Sequence, residues 1–127
     1  MEVVRLKSSK KIELIEITAK VFEFTRNYPE AKAVLIYVPH TTAGVLINEN
    51  ADPDVKRDLE AYLEQAVPKL PFRHLEGNSP AHVLSSLIGV SLSIPLEKGK
   101  PVLGTWQGIY FAEFDGPRER KVYLTVL

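Results

Sequence analysis

The sequence predicts a single α+β domain, a largely antiparallel sheet with helices packed on one side. Three observations carry that prediction. Short apolar and β-branched runs recur towards both ends of the chain, and three segments place apolar residues at helical spacing between strong end signals. The order is strands, helix, strands, two helices, strands. A chain of 127 residues suits one domain, taken as residues 1–127, and is long enough to bury a core.

Val3-Val4-Arg5-Leu6 and Ile12-Glu13-Leu14-Ile15 are the first two strands, with Ser8-Ser9-Lys10-Lys11 as a hairpin between them. Thr18 caps a helix in which Val21, Phe24 and Tyr28 follow Ile17 at helical spacing, and Pro29 closes it. Ala33 to Val38 is a buried strand. Pro39-His40-Thr41-Thr42 turns the chain, and Gly44 to Ile47 returns, which puts His40 at the connection of a hairpin. Asp52 caps the second helix, Pro53 suits its first position, and Asp54 suits the positive end of its dipole. Val55, Leu59, Tyr62, Leu63 and Ala66 form its inward face, and Pro68 and Pro71 end it. In the third helix Ser79 is the cap and Pro80 the first residue, where no N–H is needed. Leu84, Leu87 and Ile88 form its apolar stripe, and Gly89 is the left-handed residue after its last turn. Val90 to Ile94 alternates like a half-buried strand, and Glu97 to Lys100 turns. Val102–Trp106, Ile109–Asp115 and Lys121–Val126 are the last strands, with Gly116-Pro117 turning between the final two. So many strands in a small domain leave edges to protect, and assembly with further copies is one way to protect them.

Sixteen basic and sixteen acidic residues cancel, so nothing points to a general nucleic-acid or anionic-membrane binder. There is no cysteine, hence no disulfide and no thiolate chemistry. No apolar run approaches the roughly 20 residues of a membrane span, and Met1 to Lys11 lacks the apolar run of a signal peptide. The expectation is a soluble cytoplasmic protein.

The histidines are the first candidates for chemistry. His74 and His82 bracket the Glu76-Gly77-Asn78 turn and a helix start, and His40 lies on another segment. All three sit among small polar residues: Thr41 and Thr42, Asn78 and Ser79, Ser85 and Ser86. Three converging imidazoles would hold zinc or a similar divalent ion with positions open to substrate. The eight-residue spacing of His74 and His82 is no zinc signature by itself, and a solvated histidine is the plainer reading of each. Carboxylates form the second group. Phe111, Glu113 and Asp115 share one strand face, and two carboxylates so placed need a cation, a metal or a shared proton. Arg118 and Arg120 can supply the charge. Either the four residues are a surface ion-pair ladder, or Glu113 or Asp115 is an acid/base group and the arginines clamp phosphate. Asp58 is either a half-buried anchor of its helix or a partner that orients a histidine. Asn48 and Glu49 lie where a strand meets a loop, within reach of a site. Gln107 shares strand parity with Glu113 and can hydrogen-bond a ligand, and Trp106 is core or interface area.

Four motifs in order, Pro39-His40-Thr41-Thr42-Ala43-Gly44, Asn48-Glu49-Asn50, His74-x-Glu76-Gly77-Asn78-Ser79-x-Ala81-His82 and Leu103-Gly104-Thr105-Trp106-Gln107-Gly108 with Glu113-Phe114-Asp115-Gly116-Pro117-Arg118-x-Arg120, give the chain its resemblance to a known family. Over essentially its whole length it resembles the small proteins named "secondary thiamine-phosphate synthase enzyme". The resemblance implies an α+β fold, a homotrimer, and a metal, often zinc, near His40, His74 and His82. It also implies a weak coupling of hydroxymethylpyrimidine diphosphate with thiazole phosphate that releases pyrophosphate.

On that reading the catalytic set is Glu113, Asp115, Asn48 and Glu49, and substrate is bound by Arg118, Arg120, Gln107, Asn78 and Ser85. The metal and the two arginines would take up charge on the departing pyrophosphate. Diphosphates ordinarily favour magnesium and oxygen ligands, which keeps open a second version, a metal-dependent hydrolase of another small substrate. A third reading is a trimeric metal- or ligand-binding protein without turnover.

Overall fold

The computed structural model describes all 127 residues. The strands are β1 (Glu2–Lys7), β2 (Glu13–Glu16), β3 (Ala33–Tyr37), β4 (Ala43–Glu49), β5 (Ser91–Glu97), β6 (Lys100–Pro101), β7 (Gln107–Glu113) and β8 (Glu119–Val126). The helices are α1 (Thr18–Thr25), α2 (Pro53–Gln65) and α3 (Ser79–Ile88). Every strand pairing is antiparallel, and the fold is α+β. The strands divide into a five-stranded sheet, β1-β8-β3-β5-β6, and a three-stranded sheet, β2-β7-β4.

One apolar cluster fills the space between the sheets. Val4, Val34, Ile36, Ile94, Val122 and Leu124 come from the large sheet, Val45, Ile109 and Phe111 from the small one, and Val21 and Phe24 from α1. A second cluster covers the other face of the small sheet. There Leu14, Tyr110 and Ala112 meet Ala81 and Leu84 of α3, with Leu59 and Leu63 of α2 packed against them. Side-chain alternation makes this possible: successive residues of β7 feed opposite clusters. No helix is long and apolar enough to cross a membrane.

Two expected hairpins do not form. β1 pairs with β8 and β2 with β7, so the chain changes sheet at Ser8–Ile12. β3 pairs with β5 and β8 while β4 pairs with β7, so the segment carrying His40 also crosses between sheets. Apolar alternation reports which face of a strand is buried, not which strand lies beside it. The expected strand Val102–Trp106 is a turn. Gln107 N–H bonds to Gly104 O (3.1 Å) and Gly104 N–H to Gln107 Oε1 (2.8 Å), so the segment closes on itself, and Trp106 is 63% exposed rather than core.

The α2 start is built as its sequence dictates, Asp52 accepting from Asp54 N–H at 2.9 Å ahead of Pro53. The other helix starts differ. Thr18 is already helical, and its hydroxyl bonds Glu16 and accepts from Ile109 N–H. Asn78, not Ser79, precedes α3. Tyr62 and Leu87 face solvent. Asp58 is exposed, and the polar anchor of α2 is instead buried Glu60, whose carboxylate accepts from Leu14 N–H on the edge strand β2 (2.8 Å) and from Lys10 (3.2 Å). α3 is pinned to β4 at three points. Ser85 Oγ donates to Ala43 O (2.7 Å), Val45 N–H donates to Gly89 O (3.1 Å), and a Cβ on Gly44 would come within 2.6 Å of that same oxygen.

Candidate functional site

The β3–β8 ladder ends at the Tyr37–Tyr123 pair. Continued in register, it would set Pro39 against Lys121, and proline has no N–H to offer a ladder. The chain turns away there, and the His40 ring takes the place of a strand: Lys121 N–H donates to His40 Nε2 at 3.0 Å. An imidazole that accepts at Nε2 carries its proton at Nδ1. Burial, with the neighbouring Arg120 guanidinium, lowers the pKa of His40 below its ordinary value and keeps it neutral.

His74 lies in the loop before α3 and His82 in its first turn. Their rings meet edge to face, with centroids 5.3 Å apart and planes at 84°. These two residues, His40, Asn78, Arg118 and Arg120 line a cleft of about 370 Å³ in which, Pro39 apart, every lining side chain is polar.

Behind this cleft stands a buried ion pair. Glu113 has no exposed surface and receives five donors: Ser8 Oγ (2.6 Å), Arg120 Nε (2.9 Å), Arg120 Nη2, and the N–H groups of Phe114 and Asp115 (3.1 Å each). Arg120 Nη2 also donates to Thr42 Oγ1 (2.8 Å) and Thr42 O (3.2 Å), while Nη1 has no protein acceptor. Burial pushes the Glu113 carboxyl up, but the bonds from Arg120 and Ser8 outweigh it and hold the group below its usual range. Asp115 repeats the pattern nearer the surface, with burial opposed by Asn78 Nδ2 (2.9 Å) and Arg118 Nη2 (2.8 Å), and its pKa is also lowered. Asn78 therefore does not cap α3. Its amide nitrogen serves Asp115, and its Oδ1 is buried without a partner on the wall of the cleft.

Gly116 makes this packing possible. A Cβ there would collide with Lys10 O and lie 2.6 Å from Ser8 Oγ and 2.9 Å from Glu113 Cγ. The Gly116-Pro117 bond is cis.

The remaining candidates lie elsewhere. Ala43 of β4 stands opposite Glu113, but Asn48 and Glu49 stand opposite Gly108 and Gln107, at the far end of the same sheet. Six residues of strand separate the two ends by about 20 Å. There Asn48 Oδ1 accepts from Glu49 N–H (2.7 Å), Glu49 from Asp52 N–H (3.2 Å), and Gln107 from Gly104 N–H. Ser85 lines the neighbouring cleft beside Tyr37 and Val90, its hydroxyl committed to Ala43 O. Glu113 has no lone pair left for a substrate proton, so at this site it positions Arg120. Ser8, expected in the hairpin between the first two strands, belongs to the site's foundation. Nothing in a Ser-Ser-Lys-Lys run marks one serine as buried.

No three His, Cys, Asp or Glu side chains are arranged to hold a metal ion. Two imidazoles on one tetrahedral zinc, at Zn–N distances of about 2.0–2.1 Å, have ring centroids about 5 Å apart. The His74–His82 pair fits that spacing. His40 does not join it, because its Nε2 lone pair is taken by Lys121 N–H.

Residues 2–127 match the family described as UPF0047 protein YjbQ-like. A UPF0047 protein of Methanocaldococcus jannaschii is 50% identical over 125 residues, covering 97% of this chain and 91% of that protein. YugU of Bacillus subtilis is 47% identical over 131 residues, covering 100% and 98%. The fold also matches a crystal structure of a YjbQ/UPF0047 protein from Clostridium acetobutylicum, with TM-score 0.94 and 46% identity over the whole of both chains. A Thermus thermophilus structure matches with TM-score 0.87 and 42% identity, over 98% of this chain and 99% of that one. The chain belongs to the YjbQ-like UPF0047 family.

Proposed function

We propose that this chain is a small-molecule enzyme whose polar cleft binds a phosphorylated substrate beside a divalent metal ion, zinc in the first instance. Its activity would resemble that of a secondary thiamine-phosphate synthase, joining hydroxymethylpyrimidine diphosphate to thiazole phosphate with loss of pyrophosphate. The observation that carries this reading is the lining of the cleft: three imidazoles, two guanidiniums, an amide and the Glu76 carboxylate, with Pro39 the one residue without a polar side chain. Such a lining suits a small, charged, hydrogen-bonding ligand.

His74 and His82 would hold the ion, which when bound supplies a Lewis acid for a phosphoryl oxygen. Arg118, tethered by Asp115 and half exposed, presents its guanidinium to the leaving phosphate. Arg120, fixed by Glu113 and Thr42, offers Nη1. Asn78 Oδ1, lacking a donor, receives an N–H or O–H from the ligand. His40, neutral, offers its Nδ1–H. The outer face of the five-stranded sheet carries the stacked Tyr37–Tyr123 pair (centroids 6.3 Å apart), and Tyr37 is exposed there. On the family reading the chain assembles as a trimer.

The test supplies zinc and both substrates and measures pyrophosphate. Release that depends on both substrates supports the synthase, release from the diphosphate alone supports a hydrolase, and binding without release supports a ligand-binding protein. Arg118→Ala is expected to weaken diphosphate binding about tenfold or more, the scale of a charge-assisted hydrogen bond, and to spare a neutral pyrimidine. His82→Ala is expected to lower zinc content by elemental analysis, and unchanged stoichiometry would remove the metal from this account.

A further inference from the structure

We infer that a second anion-binding site lies on the opposite side of His40 and Arg120 from the polar cleft, and that it takes the second phosphate of a ligand with two anionic ends. A cleft of about 430 Å³ opens there between β1 and β8, lined by Arg5, Lys7, His40, Glu119, Arg120 and Lys121 together with apolar Leu6.

Strand register sets the charges. Arg5 stands directly opposite Lys121, and Lys7 opposite Glu119. Because Lys121 N–H points to His40, away from β1, the Arg5–Lys121 pair is of the non-hydrogen-bonded kind, in which opposed side chains lie closest. Two like charges in that position destabilise a sheet. No carboxylate relieves them. The ion pairs of the chain involve Lys10, Arg57, His74, Arg118 and Arg120, and none involves Arg5, Lys7 or Lys121. Glu119, although opposite Lys7, pairs with nothing. Three unpaired cations thus face one unpaired carboxylate, in a chain with sixteen basic and sixteen acidic residues in all. A phosphate would relieve the repulsion that the strand pairing imposes.

The two clefts share a wall. His40 and Arg120 line both, and Arg120 keeps Nη1 free of protein acceptors. A ligand long enough to pass this wall would place one anionic group beside Arg118 and the other between Arg5 and Lys121. That spanning arrangement rests on the function proposed for the polar cleft. The second site itself does not.

The test is calorimetric titration with inorganic phosphate at constant ionic strength, which screens diffuse attraction equally in every sample. Wild-type protein is expected to show two sites per chain. The double variant Arg5→Gln/Lys121→Gln should lose one of them, with at least a tenfold fall in affinity, and keep the site sensitive to Arg118→Ala. Its Tm in phosphate-free buffer should be unchanged or higher, since a like-charge pair has gone. One wild-type site abolished by Arg118→Ala alone, or a double-variant isotherm superimposable on wild type, overturns the second site. Loss of the Arg5/Lys121-sensitive site with no effect of Arg118→Ala upholds it and overturns the polar-cleft reading instead. Propane-1,3-diyl bisphosphate tests the spanning. It should bind wild type at least tenfold more tightly than inorganic phosphate and lose that advantage in either variant, and equal affinities overturn the two-ended ligand.

Discussion

Replacing Arg120 with Met removes the cation that holds Glu113 in place and leaves a buried carboxylate with only Ser8 and two backbone N–H groups for company. The pair it breaks is nearly sealed, with 5% of the Arg120 side chain and none of Glu113 exposed. Stranding one partner of such a pair costs about 3–5 kcal/mol. A domain of 127 residues has an unfolding entropy of about 0.27 kcal/mol/K near its midpoint, so that cost is a fall in Tm of roughly 11–19 °C. Thermal and urea melts followed by circular dichroism measure it. The pH dependence identifies its cause. In the wild type the folded pKa of Glu113 is held below the ordinary carboxylate value, so its contribution is fully present above that ordinary value. It is lost as pH falls through the lower, folded value. Without Arg120, burial dominates and the folded pKa rises, so the carboxyl takes up a proton on folding. The cost of Arg120→Met should therefore shrink between pH 7 and pH 5, and adding Glu113→Gln should reduce that pH dependence to the part carried by His40, whose pKa Arg120 also lowers. A cost below about 1 kcal/mol at pH 7, or one that grows on acidification, would refute the closed Glu113–Arg120 network.

Gly116→Ala forces a methyl group into Lys10 O, Ser8 Oγ and Glu113 Cγ and should destabilise by about 1–3 kcal/mol, the range for overpacking; a neutral effect in urea melts would mean the turn does not pack as described. Ser85→Ala orphans the buried Ala43 carbonyl and should cost about 1–3 kcal/mol while leaving phosphate affinity unchanged, and altered affinity would return Ser85 to the ligand. Glu60→Gln keeps an acceptor for Leu14 N–H but drops the charge facing Lys10, so its loss should stay within about 1 kcal/mol, whereas Glu60→Ala should exceed it. Asn78→Asp sets a carboxylate against Asp115 and should weaken inorganic phosphate binding in the polar cleft by calorimetry; tighter binding would contradict the anionic ligand.

Fold class was legible because burial writes itself into local sequence: the alternation of β5, the apolar run of β7 and the Asp52-Pro53 start of α2 needed no knowledge of distant residues. Strand partners were not legible. Val4 and Leu6 announce a buried face, but the face is completed by β8 at the other end of the chain, and nothing in the β1 segment encodes that. The same limit divides the candidate site. His40, His74, His82, Asn78, Arg118 and Arg120 line one cleft. Gln107 shares the parity of Glu113 and yet sits at the opposite end of β7, since parity fixes a face while distance along the strand grows by about 3.3 Å per residue. That length was countable from the sequence, and it separates Asn48, Glu49 and Gln107 from the histidines. Ser8 and the Lys121 amide were out of reach, because each matters only through a partner more than eighty residues away.

The Glu-Phe-Asp-Gly-Pro-Arg-x-Arg run is then best understood as two nested pairs around a turn. Glu113 takes Arg120 and Asp115 takes Arg118, so the two acids that would repel on one strand face each receive their own cation. Each pair is close to neutral, and its effect on a ligand comes from the direction of the remaining N–H groups rather than from net charge. The acids accept the hydrogen bonds that fix the guanidiniums. Glu113, with its lone pairs engaged, cannot also exchange a proton with substrate, so proton transfer at this cleft falls to Asp115, whose Oδ1 accepts no hydrogen bond, or to the imidazoles. Among them His40 stands apart: one nitrogen terminates a β-ladder, and the ring forms part of the wall between a polar cleft and a basic one. A ligand that reached both would meet the same imidazole from either side, and the backbone amide that fixes the ring would fix the register between the two halves of the site.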